Sequence, residues 1–299
     1  MGRIVESDIP KILAMLKDVV GTDACELIAR MGGLTNHTYH TVLEDGREYV
    51  VRIPGDGTEE MINRNDEKIS TTLACKLEID AQMLYFGDDG SKVTEYIPDA
   101  VTMSGEAFHN KKWVEKAAEL FRRIHDCGED TGVPFEVFDM AAGYEKIIRD
   151  MNVALPQSYE DQKAIIFRIK EHVDEEIHPV KVPCHNDPLC ENWVTSGERL
   201  YLIDWEYAGM NDGMWDVSDI SIEAEFDAEW DKQLLTAYLG HEPSPAENRH
   251  FLANKIYVDY LWTLWALTRV PFDGQPMQDW ADERWARMLG NIEEFEKIN

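Results

Sequence analysis

The sequence predicts an α/β chain in two parts, a small β-rich segment over residues 1–97 and a mainly helical one over residues 98–299. Three observations carry that expectation. Before Pro98, β-branched and aromatic residues cluster in short runs bounded by glycine and aspartate. After Pro98, apolar residues recur at helical spacing. The later β patch is brief and lies within residues 182–203.

Taken in order, residues 27–31, a break at Gly32-Gly33 and residues 37–43 read as a hairpin. An Asp45-Gly46 turn leads into 48–53, where Tyr49, Val50, Val51 and Ile53 favour a strand. Over 58–77 the pattern predicts a helix, with Thr58 able to cap it and glutamates in its first turn. Residues 82–86 and 92–97 are two further strands, separated by Gly87-Asp88-Asp89-Gly90. Beyond Pro98, residues 112–127 carry Val114, Ala117, Ala118, Phe121 and Ile124 on one helical face, closed by Gly128. Residues 144–151 and 159–177 are further helices. The β patch comprises 182–184, 193–195 and 200–203, the last two joined by a Ser196-Gly197 turn. Helices resume near Asp219, with a long one over 245–269 and a last over 278–295.

Hydrophobic residues make up 44% and charged residues 29%, the balance of a globular chain. No apolar run is long enough for a membrane helix. Residues 1–10 lack a basic stretch followed by an apolar core, so no signal peptide is expected. Five cysteines with no CxxC pair read as reduced thiols of a cytoplasmic protein. The 29 basic and 58 acidic residues give a net charge of −29. Such a field disfavours nucleic acid and anionic membrane as partners and concentrates cationic solutes. Acidic surfaces also serve solubility, so charge alone does not single out a cationic substrate.

The chemistry concentrates in Cys184-His185-Asn186-Asp187-Pro188-Leu189-Cys190-Glu191-Asn192, which contains H-x-D-x-x-x-x-N. Asp204 follows Asn192 by twelve residues, after the apolar run Leu200-Tyr201-Leu202-Ile203. Phosphoryl transfer needs a carboxylate beside the acceptor hydroxyl and oxygen ligands for magnesium on the nucleotide phosphates. The five-residue step from Asp187 to Asn192 is the spacing of a kinase catalytic loop. Each piece recurs by chance; the ordered set after a β-rich segment predicts a two-lobed, protein-kinase-like fold. A metal reading through Cys184, His185 and Cys190 lacks a fourth ligand and the usual zinc spacing. Neither a P-loop motif nor a dinucleotide G-x-G-x-x-G occurs.

Six stretches carry a resemblance: MGGLTNHTY (31–39), YVVRIPG (49–55), INRNDEK (62–68), CHNDPLCEN (184–192), LIDWEYAGMNDGMWDVSD (202–219) and DYLWTLW (259–265). On them the sequence resembles the choline/ethanolamine kinase family, within the aminoglycoside-phosphotransferase-like group, and bacterial choline kinases above all. LIDWEY is the most specific, since protein kinases have D-F-G there. The resemblance implies that Asp187 is the catalytic base and that Asn192 and Asp204 hold magnesium. Arg52 then replaces the phosphate-binding strand lysine of kinases, with Glu67 as its ion-pair partner. An arginine fork, permanently charged, can bridge phosphate oxygens. The loop containing Gly33, Thr35 and Asn36 covers the phosphates, although its spacing alone reads as a hairpin turn. Glu95 and Ile97 flank a connection that binds adenine through its main chain.

Substrate choice follows from the same resemblance. Trp262 and Trp265 share a helical face. By periodicity alone they are a core stripe; by resemblance they line an aromatic box for a trimethylammonium group. Tyr207 and Trp280 match further walls, and Glu223 an acid beside them. A quaternary ammonium has no N–H donors, so ring faces and diffuse negative charge must bind it. The run Glu225, Asp227, Glu229, Asp231 reads as a solvated helix face.

The expected activity is transfer of the ATP γ-phosphoryl group, with magnesium, to the hydroxyl of choline. Ethanolamine is second, and thiamine or an aminoglycoside a more distant acceptor. A catalytically inactive nucleotide-binding pseudokinase is the alternative of a different class, and the complete set of Asp187, Asn192 and Asp204 argues against it.

Overall fold

The computed structural model describes residues 3–31, 36–55 and 63–298. In chain order, α1 (Ile9–Val20) precedes three strands, β1 (Cys25–Arg30), β2 (Asn36–Leu43) and β3 (Glu48–Pro54). Next come α2 (Arg64–Lys76), β4 (Met83–Phe86), β5 (Lys92–Glu95) and the short β6 (Val101–Thr102). Four helices follow: α3 (Gly105–Phe108), α4 (Lys111–His125), α5 (Val137–Asp150) and α6 (Tyr159–Ile177). Then β7 (Lys181–Cys184), β8 (Trp193–Ser196), β9 (Arg199–Leu202) and β10 (Gly209–Asp212) lead to α7 (Gly213–Glu223), α8 (Ala228–Leu239), α9 (Pro245–Asp273) and α10 (Gln275–Ile298). The chain forms two compact units, one of Met1–Met103 with Glu191–Ala208, the other of Ser104–Cys190 with Gly209–Asn299.

The first unit is built on an antiparallel sheet of order β1-β2-β3-β5-β4. Gly46, at φ +84°, makes the β2–β3 turn, where a left-handed backbone suits glycine. Inward side chains Tyr39, Leu43, Val51 and Val93 form a core with Ile12 and Leu16 of α1. Helix α1 is absent from the sequence reading, although Pro10 in its first turn and Gly21 as a left-handed cap mark its ends. Asp8, just before it, accepts hydrogen bonds from Tyr39 Oη at 2.6 Å and pairs with His37 Nδ1 at 2.7 Å, pinning the helix to β2. The helix expected over 58–77 begins at Arg64, capped by Asn63, whose side chain accepts from the Asn65 and Asp66 N–H groups. Thr58 lies outside the described residues. A second sheet of order β6-β8-β9 completes this unit.

The second unit is helical around a small antiparallel β7–β10 pair. Its centre is α9, buried along most of residues 250–268 and packed against α5, α6, α7 and α10. A capping box starts it: Glu247 N–H donates to Ser244 Oγ, and Ser244 N–H to Glu247 Oε2. Helix α7 starts at Gly213, six residues before the expected Asp219, because β10 ends in Asp212, which caps it. A Cβ at Gly213 would stand 2.9 Å from both His125 Nδ1 and Tyr238 Oη. The acidic run is not uniformly solvated: Asp227 caps α8, and Asp231 is tied inward to Lys255 at 2.5 Å. Among the described residues no helix is long and apolar enough to cross a membrane.

Candidate active site

In the first unit, Arg52 on β3 is buried, with Nη1 2.5 Å from Glu67 Oε1 on α2. Its Nε and Nη2 donate to the Gly90 carbonyl at 3.2 and 2.8 Å, and its guanidinium lies over the Phe86 ring. Glu67 Oε2 accepts from Arg64 Nη1 at 2.8 Å. Burial works to raise the Glu67 carboxyl, but Arg52, Lys92 and Arg64 together outweigh it and hold the group below the usual carboxylate range.

Asp204 stands beside this pair, Oδ1 3.9 Å from Arg52 Nη1, with its side chain 41% exposed. Strand β9 stops at Leu202, and the chain kinks through Asp204 at φ +68°. Asn192 closes a 3-10 turn, Cys190–Asn192, and its carbonyl accepts the Ile203 N–H at 2.9 Å. That bond brings Asn192 and Asp204 to the same end of the β8–β9 pair. A carboxylate and an amide carbonyl are hard oxygen donors, a set that fits magnesium.

Glu206, which the sequence reading passed over inside LIDWEY, accepts from Asn36 Nδ2 at 3.3 Å and lies 3.8 Å from Arg64 Nη1. Burial, then the charges of Asp204 and Glu67, pushes its carboxyl up to about 7. Asn36 is thus joined to the Arg52–Glu67–Arg64 group; Gly33 and Thr35 lie outside the described residues.

Glu95 and Ile97 line a cavity of about 250 Å³ within this unit, with Asp80, Gln82, Tyr96 and Tyr201. Glu95 N–H donates to the Gln82 carbonyl and Tyr96 N–H to that of Glu48. The Ile97 N–H has no hydrogen-bond partner among the described residues and remains available as a donor. Asp80 is buried at the cavity wall, and that burial pushes its carboxyl up to about 6.

Asp187 belongs to the second unit and is half-buried, on the loop after β7. The residue before it, Asn186, is held at φ +68°. Several bonds fix it: its N–H donates to Asp216 Oδ1 at 2.7 Å, Trp215 Nε1 donates to its carbonyl at 3.0 Å, Asn211 Nδ2 donates to its Oδ1 at 3.0 Å, and its own Nδ2 donates to the Gly209 carbonyl at 3.5 Å. Asp216 Oδ2 also accepts the His185 N–H at 2.8 Å. A strained backbone persists only where its surroundings over-determine it, as here. Asp216, Asn211 and Trp215 were not singled out from the sequence, although WDVSD lies within a resembling stretch. His125, Cys184 and Asp216 bring possible metal-ligand atoms within 4.8 Å of one another. Both Asp216 oxygens already accept loop N–H groups, and Cys184 Sγ donates to the Asn211 carbonyl. This trio is a loop anchor.

The remaining expected residues meet on α7, α9 and α10. Trp262 and Trp265 are edge-to-face with centroids 6.1 Å apart, and Trp265 meets Trp280 the same way at 6.0 Å. Arg284, absent from the sequence reading, donates to Glu223 and lies 4.1 Å from the Trp280 ring centroid. One turn before Glu223, Asp219 is fully buried and neither carboxylate oxygen has a hydrogen-bond partner among the described residues. Burial, then the Glu223 charge, pushes its carboxyl far above the usual range. Tyr207 is half-buried in the first unit, directly after Glu206.

A solved choline/ethanolamine kinase family protein from Mesorhizobium loti is 35% identical, covers 97% of each chain and superposes with a TM-score of 0.84. Choline kinase LicA from Streptococcus pneumoniae is 27% identical over 95% of this chain and 98% of its own, with a TM-score of 0.78. A probable ethanolamine kinase from Arabidopsis thaliana is 26% identical over 84% of this chain and 70% of its own. The fold is the kinase-like one that choline kinases share with aminoglycoside phosphotransferases. The family model described as choline/ethanolamine kinase matches residues 28–288, and on that span the chain belongs to the choline/ethanolamine kinase family.

Proposed function

We propose that this kinase transfers the γ-phosphoryl group of ATP to the hydroxyl of choline, giving phosphocholine and ADP. The choline oxygen forms the new P–O bond as the bond to the β-phosphate oxygen breaks, and Asp187 takes the hydroxyl proton. Arg52, held by Glu67, binds phosphate oxygens, with Gly33, Thr35 and Asn36 as further nucleotide-binding residues. Adenine takes the free Ile97 N–H and the Glu95 carbonyl. Asn192 and Asp204 would hold magnesium, which neutralises charge on the phosphates when bound.

The observation that favours choline is the Trp262–Trp265–Trp280 cluster beside a Glu223 already bonded to Arg284. Ring faces suit a cation without N–H donors, so these three rings are the proposed amine site; Tyr207 is proposed as a further amine-binding ring. Ethanolamine is the second reading, and Asp219 favours it, as a buried carboxylate with no donor. Steady-state ADP release with magnesium, ATP and a panel of amino alcohols decides. Choline is expected to give the highest kcat/KM; a higher value for ethanolamine moves the substrate to the second reading.

A further inference from the structure

We propose that Arg284 is a positioning residue that sets which amines the enzyme accepts, an inference that rests on the amine site proposed above. Arg284 on α10 is 2% exposed. Its Nη2 donates to Glu223 at the end of α7, and its Nη1 donates to Asp259 Oδ1 of α9 at 3.1 Å. Its plane also covers Trp280, 4.1 Å from the ring centroid. One side chain therefore joins the acid and the aromatic wall of the same site. Burial opposes the guanidinium charge, but Glu223 and Asp259 outweigh it and stabilise the cation. Asp259 is held in turn by Arg287, at 2.6 and 2.9 Å.

This arrangement has a consequence for selectivity. Tied to Arg284 through Oε1, Glu223 has its charge balanced and one of its two oxygens engaged. A trimethylammonium loses nothing by that. A primary ammonium brings three N–H donors, and each donor left unsatisfied on leaving water is costly. Arg284 therefore removes Glu223 Oε1 from the acceptors open to ethanolamine, leaving it Oε2 and the buried Asp219. Only a planar fork holds two acids and stacks on a ring at once, so lysine is a poor substitute.

The test is the ratio of kcat/KM for choline to that for ethanolamine in wild type, Arg284→Met, Arg284→Gln and Arg284→Lys, with a thermal melt of each. Arg284→Gln frees Glu223 while keeping an amide donor toward Asp259, so it keeps the test decisive if Arg284→Met does not fold. Both Arg284→Met and Arg284→Gln are expected to lower the ratio by about ten- to a hundredfold, mainly through a lower ethanolamine KM. Arg284→Lys is expected to fall between them and wild type, and the ATP KM to stay constant throughout. Equal losses for both amines, or an unchanged ratio, would overturn the positioning role. Wild-type preference for ethanolamine, read before any variant is made, instead removes the choline reading itself.

Discussion

Arg52 Nη1 lies 2.5 Å from Glu67 Oε1, and both side chains are buried, so a charged bond ties β3 to α2 inside the first unit. Removing one partner of such a pair leaves a buried charge uncompensated and typically costs about 3–5 kcal/mol. Glu67→Gln keeps the shape and loses the charge. It is expected to lower the melting temperature and raise the ATP KM, leaving the choline KM nearly unchanged. Kinetics in both substrates with a thermal melt check this, and a folded variant with the wild-type ATP KM contradicts the phosphate role of Arg52.

Asn192 and Asp204 share one end of the β8–β9 pair. Replacing either with alanine removes an oxygen donor and should raise the magnesium concentration needed for half-maximal rate, or abolish activity. Rate against magnesium is the measurement, and an unaltered curve in both variants rules out the metal role.

Asp216 accepts both the His185 and Asn186 N–H groups. Asp216→Asn puts donors against one of those N–H groups, leaving it unsatisfied at a cost of about 1–3 kcal/mol. The expected result is a lower kcat, by about tenfold or more if that cost reaches the Asp187 loop, with substrate KM values little changed. A destabilised variant with full kcat would show that the anchor serves folding alone.

Asp80 gives a pH dependence. Its carboxyl rises from 3.8 to about 6 in the folded chain, so the native state binds this proton more tightly than the unfolded one. The stability it contributes is fully present below about pH 4 and is lost as pH rises through about 6, to the extent of about 3 kcal/mol. Melting temperatures from pH 4 to 8 should fall more steeply for wild type than for Asp80→Asn. Parallel curves contradict the assignment.

What the sequence made legible follows its local signals. The H-x-D-x-x-x-x-N spacing placed Asp187 and Asn192, and alternation with a turn at Gly46 placed β2 and β3. Helix α1 was missed although its proline and glycine ends were visible, because its docking partners Tyr39 and Val51 are far away in sequence. Asn63 capped α2 where Thr58 was expected, since a cap depends on which side chain reaches the free N–H groups. Glu206, Asp216 and Arg284 were invisible for a shared reason: each acts through partners on distant elements, and no single-chain periodicity encodes such a pairing. Glu223 was read as an acid beside the aromatic box, and only the fold reveals the arginine bonded to it.

The central claim is transfer of phosphate to choline with Asp187 as base. Phosphorus-31 NMR of wild type with ATP, magnesium and choline tests it most directly, alongside Asp187→Asn under the same conditions. The account predicts a phosphocholine resonance growing in step with ADP for wild type. For Asp187→Asn it predicts a rate lower by about 10²–10⁴-fold with ATP still bound. No phosphocholine from wild type, or an Asp187→Asn enzyme that keeps most of its turnover, would contradict it.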